Sequence, residues 1–173
     1  YWAQAEAKVP VLMTLDGEWG LSMRVKKTPR FPHNMGLGAI SDYKLLYRYG
    51  QEVARECKLM GSHTNFAPDA DVNSNPANPV IGYRSFGENP QRVANATVAY
   101  SLGLEDGGVQ AVSKHFPGHG DTSIDSHKAL SSVNHDKKRL DEIDLVPFKE
   151  FIGAGCSGVM VGHIAVPAID PSG

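Results

Sequence analysis

The segment KHFPGHGDTSIDSH, residues 114–127, contains three histidines and two aspartates within fourteen positions. Near its end, Asp125 and His127 are separated by a single residue. In an extended segment the side chains at i and i+2 point the same way, so this carboxylate can contact the imidazole. Histidine titrates near about pH 6.5, and a neighbouring carboxylate favours its protonated form. We interpret the pair as suited to general acid/base catalysis, although two side chains that only brace a turn would show the same spacing.

The same segment offers a second kind of chemistry, because His115, His119 and Asp121 are residue types that bind divalent metals. His115 and His119 are four residues apart, a spacing that places two ligands on one face of a helix. A proline and a glycine lie between them, and both oppose a helix there. A loop-type site that also uses His127 is the alternative, while our own expectation is that no metal and no cofactor is needed.

Four charged residues that can bind sugar hydroxyls follow, or end, apolar runs: Asp16, Arg84, Lys114 and His115. The carboxyl ends of parallel strands meet at one edge of a sheet, so we expect these side chains to converge there. Taken singly, Asp16 is compatible with a turn and Lys114 with a solvated position. Arg84 is four residues from Glu88, and the two could simply pair. The hypothesis of a sugar site therefore depends on the four residues together.

The elements that would carry these residues alternate between short apolar runs and longer amphipathic segments. The short runs predict four strands, over residues 9–15, 63–68, 108–116 and 157–166. The longer segments predict three helices, over residues 41–60, 89–104 and 140–154. This alternation predicts an α/β fold with a parallel sheet, either open or closed into a barrel.

The composition is that of an ordinary folded domain, with 173 residues, a net charge of −2, and 41% hydrophobic and 21% charged residues. The charge balance gives no indication of a nucleic-acid partner, and no apolar run is long enough to span a membrane. Cys57 and Cys156 are far apart in the sequence and are more typical of free thiols than of a disulfide. They leave the compartment open between the cytoplasm and export.

The histidine-rich segment closely resembles the signature of the β-N-acetylglucosaminidase (β-hexosaminidase) branch of glycoside hydrolase family 3. Three shorter segments occur in the order that this family shows: LDGEWG at 15–20, NFAPDADVN at 65–73 and GYRSFGENP at 82–90. The resemblance covers most of the chain and implies a (β/α)8 barrel of the TIM type, present here only in part. It also implies retaining hydrolysis of terminal non-reducing N-acetyl-β-D-glucosamine from a carbohydrate substrate, often a peptidoglycan fragment.

The resemblance assigns roles to individual residues. It implies that His127 is the general acid/base and that Asp125 orients and tunes its imidazole, where most glycosidases use a carboxylic acid. It implies substrate-binding roles for Asp16, Arg84, Lys114 and His115. Trp19 departs from the pattern, since it stands where the family has a glycine.

The nucleophile of this family is an aspartate on a later strand than the histidine-rich segment. The sequence stops at Gly173, soon after MVGHIAVPAID at 160–170, and we do not interpret Asp170 as this nucleophile. About four strands are predicted where a barrel has eight, and such barrels have roughly 250 residues. We therefore expect residues 1–173 to be part of the family's N-terminal catalytic domain, truncated at both ends, with a further domain possible downstream. Alone, this polypeptide is expected to be poorly soluble or oligomeric and to show no useful turnover.

Three other functions stay open at this point. A histidine acid/base leaves a site less negative than a glutamate would, so phosphate could replace water and give a phosphorylase on the same scaffold. A metal-dependent hydrolase could use the histidine-rich segment. The third possibility is a sugar-binding domain without catalysis, which would need neither phosphate nor a metal.

Overall fold

The computed structural model describes residues 2–123 and 130–171. Its strands are β1 Thr14–Leu15, β2 Thr64–Asn65, β3 Gln110–Phe116, β4 Ser131–Ser132, β5 Gly158–Val161 and β6 Ile164–Ala165. A four-stranded sheet has the order β1-β2-β3-β5, and β4 pairs separately with β6. All of these pairings are parallel, so the carboxyl ends of the four strands lie at one edge of the sheet.

The helices are α1 Trp2–Glu6, α2 Asn34–Leu37, α3 Tyr43–Leu59, α4 Pro90–Asp106, α5 Lys137–Arg139 and α6 Val146–Gly153. Single 3-10 turns occur at Leu21–Met23 and Gly82–Arg84, and a π turn occurs at Leu140–Asp144. Within the described ranges, none of these helices combines the length and the apolar character that crossing a membrane requires.

The two long helices begin at side-chain caps. The Asp42 carboxylate accepts a hydrogen bond from the backbone N–H of Lys44 at the start of α3. The Asn89 side chain accepts from the N–H of Arg92 in the same way, and Pro90 occupies the first turn of α4. Both caps satisfy N–H groups that have no partner inside the helix, and the proline has no N–H to satisfy.

The core forms where α3, α4 and α6 pack together beside the sheet. Gly50 in α3 and Gly103 in α4 allow the two long helices to touch, because a Cβ on Gly103 would lie 2.1 Å from the Tyr47 carbonyl oxygen. A Cβ on Gly50 would lie 2.3 Å from the Tyr100 carbonyl oxygen. The side chains buried around this crossing include Leu46, Val53, Tyr100, Leu104 and Phe151. Two helices of this layer, α4 and α6, pack against β3.

The predicted parallel α/β arrangement is confirmed, although several elements differ in length. The first predicted strand, 9–15, is a strand only over Thr14–Leu15, and the last, 157–166, is divided into β5 and β6. The predicted helix 140–154 begins with a π turn, in which the N–H of Leu145 bonds the Leu140 carbonyl. Pro147 follows in the first turn of α6, where its missing N–H costs nothing. Over the described residues the sheet is open, with β1 and β5 at its edges.

Candidate active site

Ionisable side chains from three neighbouring strand ends meet at the carboxyl edge of the sheet. They are Asp16 and Glu18 after β1, Asp69 and Asp71 after β2, Lys114 and His115 near the end of β3, and Arg84 from a 3-10 turn. The strands are registered so that Thr14 lies beside Thr64 and Thr64 beside Gln110. This register brings the segments that follow β1 and β2 alongside the last residues of β3.

Lys114 is a buried lysine that bridges two acidic residues. Its Nζ donates to Asp16 Oδ1 at 2.6 Å and lies 2.8 Å from Glu18 Oε1, with 3% of the side chain exposed. The solvated position considered for this lysine is therefore wrong. Burial would raise the pKa of Asp16, but Lys114 and Arg24, which also bonds Asp16, outweigh it and hold that pKa below its ordinary value.

Arg84 binds Glu18 through two parallel hydrogen bonds. Its Nη2 donates to Glu18 Oε1 at 2.7 Å and its Nε donates to Oε2 at 3.1 Å, a pairing that fits the planar shapes of both groups. The alternative that Arg84 simply pairs with Glu88 is thus wrong. The carboxylate that binds Arg84 is 66 residues earlier in the chain. Glu18 is fully buried, which alone would raise its pKa, but Arg84 and Lys114 lower that pKa below the ordinary value.

His115 is held by Asp71 on one side of its ring. Its Nδ1 lies 2.7 Å from Asp71 Oδ2, and its Nε2 lies 3.4 Å from Nη2 of Arg84. Asp71 also accepts from the backbone N–H of His119 at 2.6 Å. Burial would raise the pKa of Asp71, but His115 and this N–H outweigh it, so the pKa lies below its ordinary value. The arrangement fixes the imidazole orientation towards the guanidinium.

Asp69 is a fully buried carboxyl group beside the same histidine. Its Oδ2 lies 3.6 Å from Arg84 Nη2 and 4.0 Å from His115 Nδ1, and within the described residues no group donates a hydrogen bond to this oxygen. The other oxygen, Oδ1, accepts the backbone N–H of Asp71 at 3.1 Å. Burial, together with the nearby Asp71 and Glu18 carboxylates, raises the pKa of Asp69 well above its ordinary value. The two aspartates of this segment therefore have opposite tendencies, Asp71 towards the anion and Asp69 towards the neutral acid.

The two isosteric changes Asp71→Asn and Asp69→Asn are expected to alter the pH dependence of stability in opposite directions. The pKa of Asp71 is lower in the folded than in the unfolded state, so its contribution is complete above about pH 4 and is lost as the pH falls. Asp71→Asn should therefore destabilise the protein near neutrality and progressively less in acid. The pKa of Asp69 is raised by folding, so the wild type loses stability as the pH rises.

Asp69→Asn stays neutral, so its stability relative to the wild type should increase with pH. The measurement is urea unfolding of each variant between about pH 3 and 8. Each variant serves as the control for the other, because both changes remove one carboxylate from the same segment. Two pH curves parallel to that of the wild type would contradict the assignment.

The first part of the histidine-rich segment is tied to the loop that follows β2. The Asn78 side-chain amide donates to the His119 carbonyl oxygen at 2.8 Å. Gly120 passes so close to Val72 that a Cβ would lie 1.8 Å from the Val72 carbonyl oxygen, so only glycine fits without displacement of the backbone. These contacts position residues 117–122 against the rim of the site.

The alternative metal set of His115, His119 and Asp121 does not form a metal group within the described residues. The ring centroids of His115 and His119 lie 5.8 Å apart, and the His119 ring also contacts Thr122 Oγ1 at 2.5 Å. Asp121 accepts a hydrogen bond from Ser74 Oγ at 3.1 Å and is paired with His135. The Asp121–His135 pair instead joins the segment before residue 124 to the segment after residue 129.

Another trio has both the residue types and the spacing for a metal. The ligand atoms of Asp69, Asp71 and His115 lie within 4.8 Å of one another. Asp71 and His115 already bond each other, however, and the Arg84 guanidinium faces both His115 and Asp69. Protein groups therefore already balance much of the charge that a cation would meet.

The structure brings together the four residues for which substrate binding was predicted: Asp16, Arg84, Lys114 and His115. Asp125 and His127 lie outside the described residues. The sequence reasoning did not identify three buried carboxyl groups, Glu18, Asp69 and Asp71. The two aspartates carry a usable signal, since they are two positions apart directly after a buried strand and so point to the same side.

Comparison with known proteins identifies the family of this chain. Residues 2–172 match the family model described as the glycosyl hydrolase family 3 N terminal domain. Beta-hexosaminidase A of Pseudoalteromonas piscicida is 39% identical over 175 residues, which is 98% of this chain and 29% of that protein. A Beta-hexosaminidase of Nitrosomonas eutropha is 35% identical over 170 residues, covering 94% of this chain and 49% of that protein.

A solved structure of a family 3 β-N-acetylglucosaminidase from Paenibacillus sp. str. FPU-7 superposes with a TM-score of 0.90 and 44% identity. That match covers 94% of this chain and 31% of the other. The chain thus spans between about a third and a half of the length of these relatives. The chain belongs to glycosyl hydrolase family 3, and its parallel α/β structure is part of that family's TIM-barrel-type N-terminal domain.

Proposed function

We propose that the full-length protein hydrolyses terminal non-reducing N-acetyl-β-D-glucosamine from glycosides and retains the anomeric configuration. The observation that carries this proposal is the buried bridge from Lys114 to Asp16 and Glu18, which places a cation and two carboxylates at the strand ends. The similar proteins named β-hexosaminidases support the same substrate class. We also propose that residues 1–173 are part of a longer catalytic domain, as in these longer relatives.

In this proposal the terminal sugar is held by groups that are already oriented before it arrives. Asp16, with 35% of its side chain exposed, accepts a hydrogen bond from a sugar hydroxyl. Arg84 and Lys114 donate, and both are fixed in place by Glu18. Because their rotamers are set by buried ion pairs, little conformational entropy is lost when the sugar binds.

The chemical step that we propose uses a histidine as the proton carrier. His127 protonates the leaving glycosidic oxygen and then accepts a proton from water, while Asp125 orients and tunes the imidazole. Retention also requires a nucleophile that forms a glycosyl intermediate, and we assign it to an aspartate outside these 173 residues. Because His127 must be protonated in one step and neutral in the other, the rate should follow a bell-shaped dependence on pH.

Peptidoglycan fragments are the glycosides that we propose as substrates, on the basis of the resemblance of the histidine-rich segment. Water is the acceptor that we propose, since the similar proteins are named β-hexosaminidases.

The test is hydrolysis of p-nitrophenyl glycosides by the full-length protein, followed by proton NMR of the first sugar released. We expect turnover of the N-acetyl-β-glucosaminide, much slower turnover of the β-glucoside, and β-N-acetylglucosamine as the first product. Repeating the reaction in phosphate buffer should give the same product. Release of the α-anomer first, or of a sugar 1-phosphate, would contradict the proposal.

A further inference from the structure

The ion pair between Asp121 and His135 connects two parts of the chain that are 14 residues apart in sequence. Residues 124–129, which lie outside the described ranges, fall between them and include His127. A carboxylate oxygen accepts hydrogen bonds, so the Nε2–H of the His135 ring is the donor in this contact. The two side chains are 24% and 33% exposed, so the contact is partly shielded from solvent.

The residues before this segment are held by the loop that follows β2, and we call this support the first anchor. The backbone N–H of Asn75 donates to the Gly120 carbonyl oxygen, and its side-chain amide donates to the Thr122 carbonyl oxygen, both at 3.3 Å. Ser74 Oγ donates to Oδ1 of Asp121 at 3.1 Å. The two oxygens of the Asp121 carboxylate therefore contact different parts of the chain, Oδ1 the first anchor and Oδ2 His135.

The residues after the segment are held by the pairing of β4 with β6, which we call the second anchor. The backbone N–H of Val133 donates to the Ala165 carbonyl oxygen at 2.9 Å. The Val133 side chain is buried in a small cluster with Leu140 and Val166. His135 follows Val133 by two residues. Removing either side chain of the Asp121–His135 pair thus leaves both anchors in place and removes the contact between them.

A buried carboxyl group, Asp144, lies against the start of the histidine-rich segment and beside the pair. A Cβ on Gly118 would lie 2.8 Å from the Asp144 Cβ. Burial raises the pKa of Asp144 to about 6, although Arg139 and His135 lower this pKa, and Asp121 raises it further. The pair is therefore surrounded by charged groups in a partly buried place, where solvent ions screen it less than they screen an exposed pair.

The first anchor is also connected to the sugar-binding rim. Asp71 contacts the His115 ring and accepts the backbone N–H of His119 at 2.6 Å, two residues before Asp121. A proton carrier works only within hydrogen-bond distance of the oxygen that it protonates, and a displacement of about 1 Å can cost about 10²-fold in rate. The separation of the two anchors therefore matters for the chemistry of a segment that lies between them.

We propose that Asp121 and His135 form a positioning pair, which keeps the two anchors at the separation that proton transfer by His127 requires. This inference rests on the proposed function, because His127 has that task only there. Neither residue of the pair touches the terminal sugar in this proposal. Loss of the pair therefore weakens proton transfer and leaves binding of the terminal sugar unaltered.

The test compares kcat/KM of the full-length protein on a methyl and a dinitrophenyl N-acetyl-β-glucosaminide. This parameter covers the steps up to cleavage of the glycosidic bond, in which only the methyl glycoside needs a proton. We expect His135→Ala and Asp121→Ala each to lower it about tenfold on the methyl glycoside and less than about twofold on the dinitrophenyl glycoside. The double variant should lose no more than either single variant. His135→Gln, which keeps an N–H donor, should recover most of the rate.

Asp141→Ala is the control, because it removes an exposed carboxylate that pairs with Lys149, and both of these residues lie after the segment. It should leave kcat/KM on both glycosides unchanged. A purely structural role for the Asp121–His135 pair would lower both rates together. Equal losses on the two glycosides in His135→Ala, or losses that add in the double variant, would therefore overturn the proposal.

A second measurement does not depend on activity. Trypsin cleaves after lysine, and Lys128 lies between the two anchors in the sequence. We expect mass spectrometry of brief digests to show cleavage after Lys128 several-fold faster in His135→Ala and Asp121→Ala than in the wild type or Asp141→Ala. Unchanged cleavage contradicts the positioning pair. If the wild type hydrolyses neither glycoside, the proposed function fails, and the digestion alone decides whether the pair holds the anchors together.

Discussion

Arg84→Met is expected to lower the free energy of unfolding by about 3–5 kcal/mol, because it leaves a fully buried carboxylate without its two-bond partner. Glu18 would then keep its ion pair with Lys114, which also pairs with Asp16. We also expect kcat/KM for p-nitrophenyl N-acetyl-β-glucosaminide to fall by about 10²–10³-fold in the full-length protein, since a pre-oriented donor to the sugar is lost. Urea unfolding and steady-state kinetics measure the two effects separately.

The matched control is Arg55→Met, which removes an exposed arginine that pairs with Glu52 on the same face of α3. Exposed pairs contribute little, so this change should cost less than about 1 kcal/mol and leave activity unaltered. The double variant Glu18→Gln/Arg84→Met should recover part of the lost stability but none of the activity, because the buried charge has gone and the donor has not returned. Equal stability losses for Arg84→Met and Arg55→Met would show that burial does not strengthen the pair.

His127→Ala is expected to reduce kcat by about 10²–10⁴-fold on alkyl glycosides, whose leaving oxygen needs a proton. On a dinitrophenyl glycoside, which departs as a stable anion, the first step should be nearly unaffected. The pH profile of the variant should also lose the limb that depends on the protonated imidazole. Rates on a series of glycosides with leaving groups of graded acidity measure this dependence.

His63→Ala provides the comparison for a histidine remote from the rim. His63 is exposed, immediately precedes β2 at its amino end, and accepts the backbone N–H of Met13 through its Nδ1. Its loss should change the rates on all leaving groups by the same small factor. Equal losses for His127→Ala on alkyl and dinitrophenyl glycosides would remove His127 from the proton-transfer role.

The sequence predicts the order of the strands and helices but not their lengths. Apolar runs mark β1, β2 and β3 because a strand covered on both faces needs no polar alternation. The same runs overestimate β1, since residues 9–12 are apolar but lie outside the described strand pairing, which begins at Thr14. Backbone pairing, not hydrophobicity, decides where a strand begins.

The site follows from the sequence only where residue type and strand position coincide. Lys114 and His115 end a predicted strand, and Asp16 follows another, so their convergence is foreseeable from parallel pairing. The partner of Arg84 is not foreseeable, because local spacing points to Glu88 whereas the real partner comes from the turn after β1. Long-range pairing of charges is determined by the register of the sheet, which the sequence does not display.

The order of strands across the sheet, β1-β2-β3-β5, is also their order along the chain. Within the described sheet, β2, β3 and β5 each add beside a strand that has already left the ribosome. At a synthesis rate of about 5–20 residues per second, this growth from one edge keeps each new edge unpaired for only a few seconds. Co-translational assembly would in this way limit the time during which a growing chain can join the wrong neighbour.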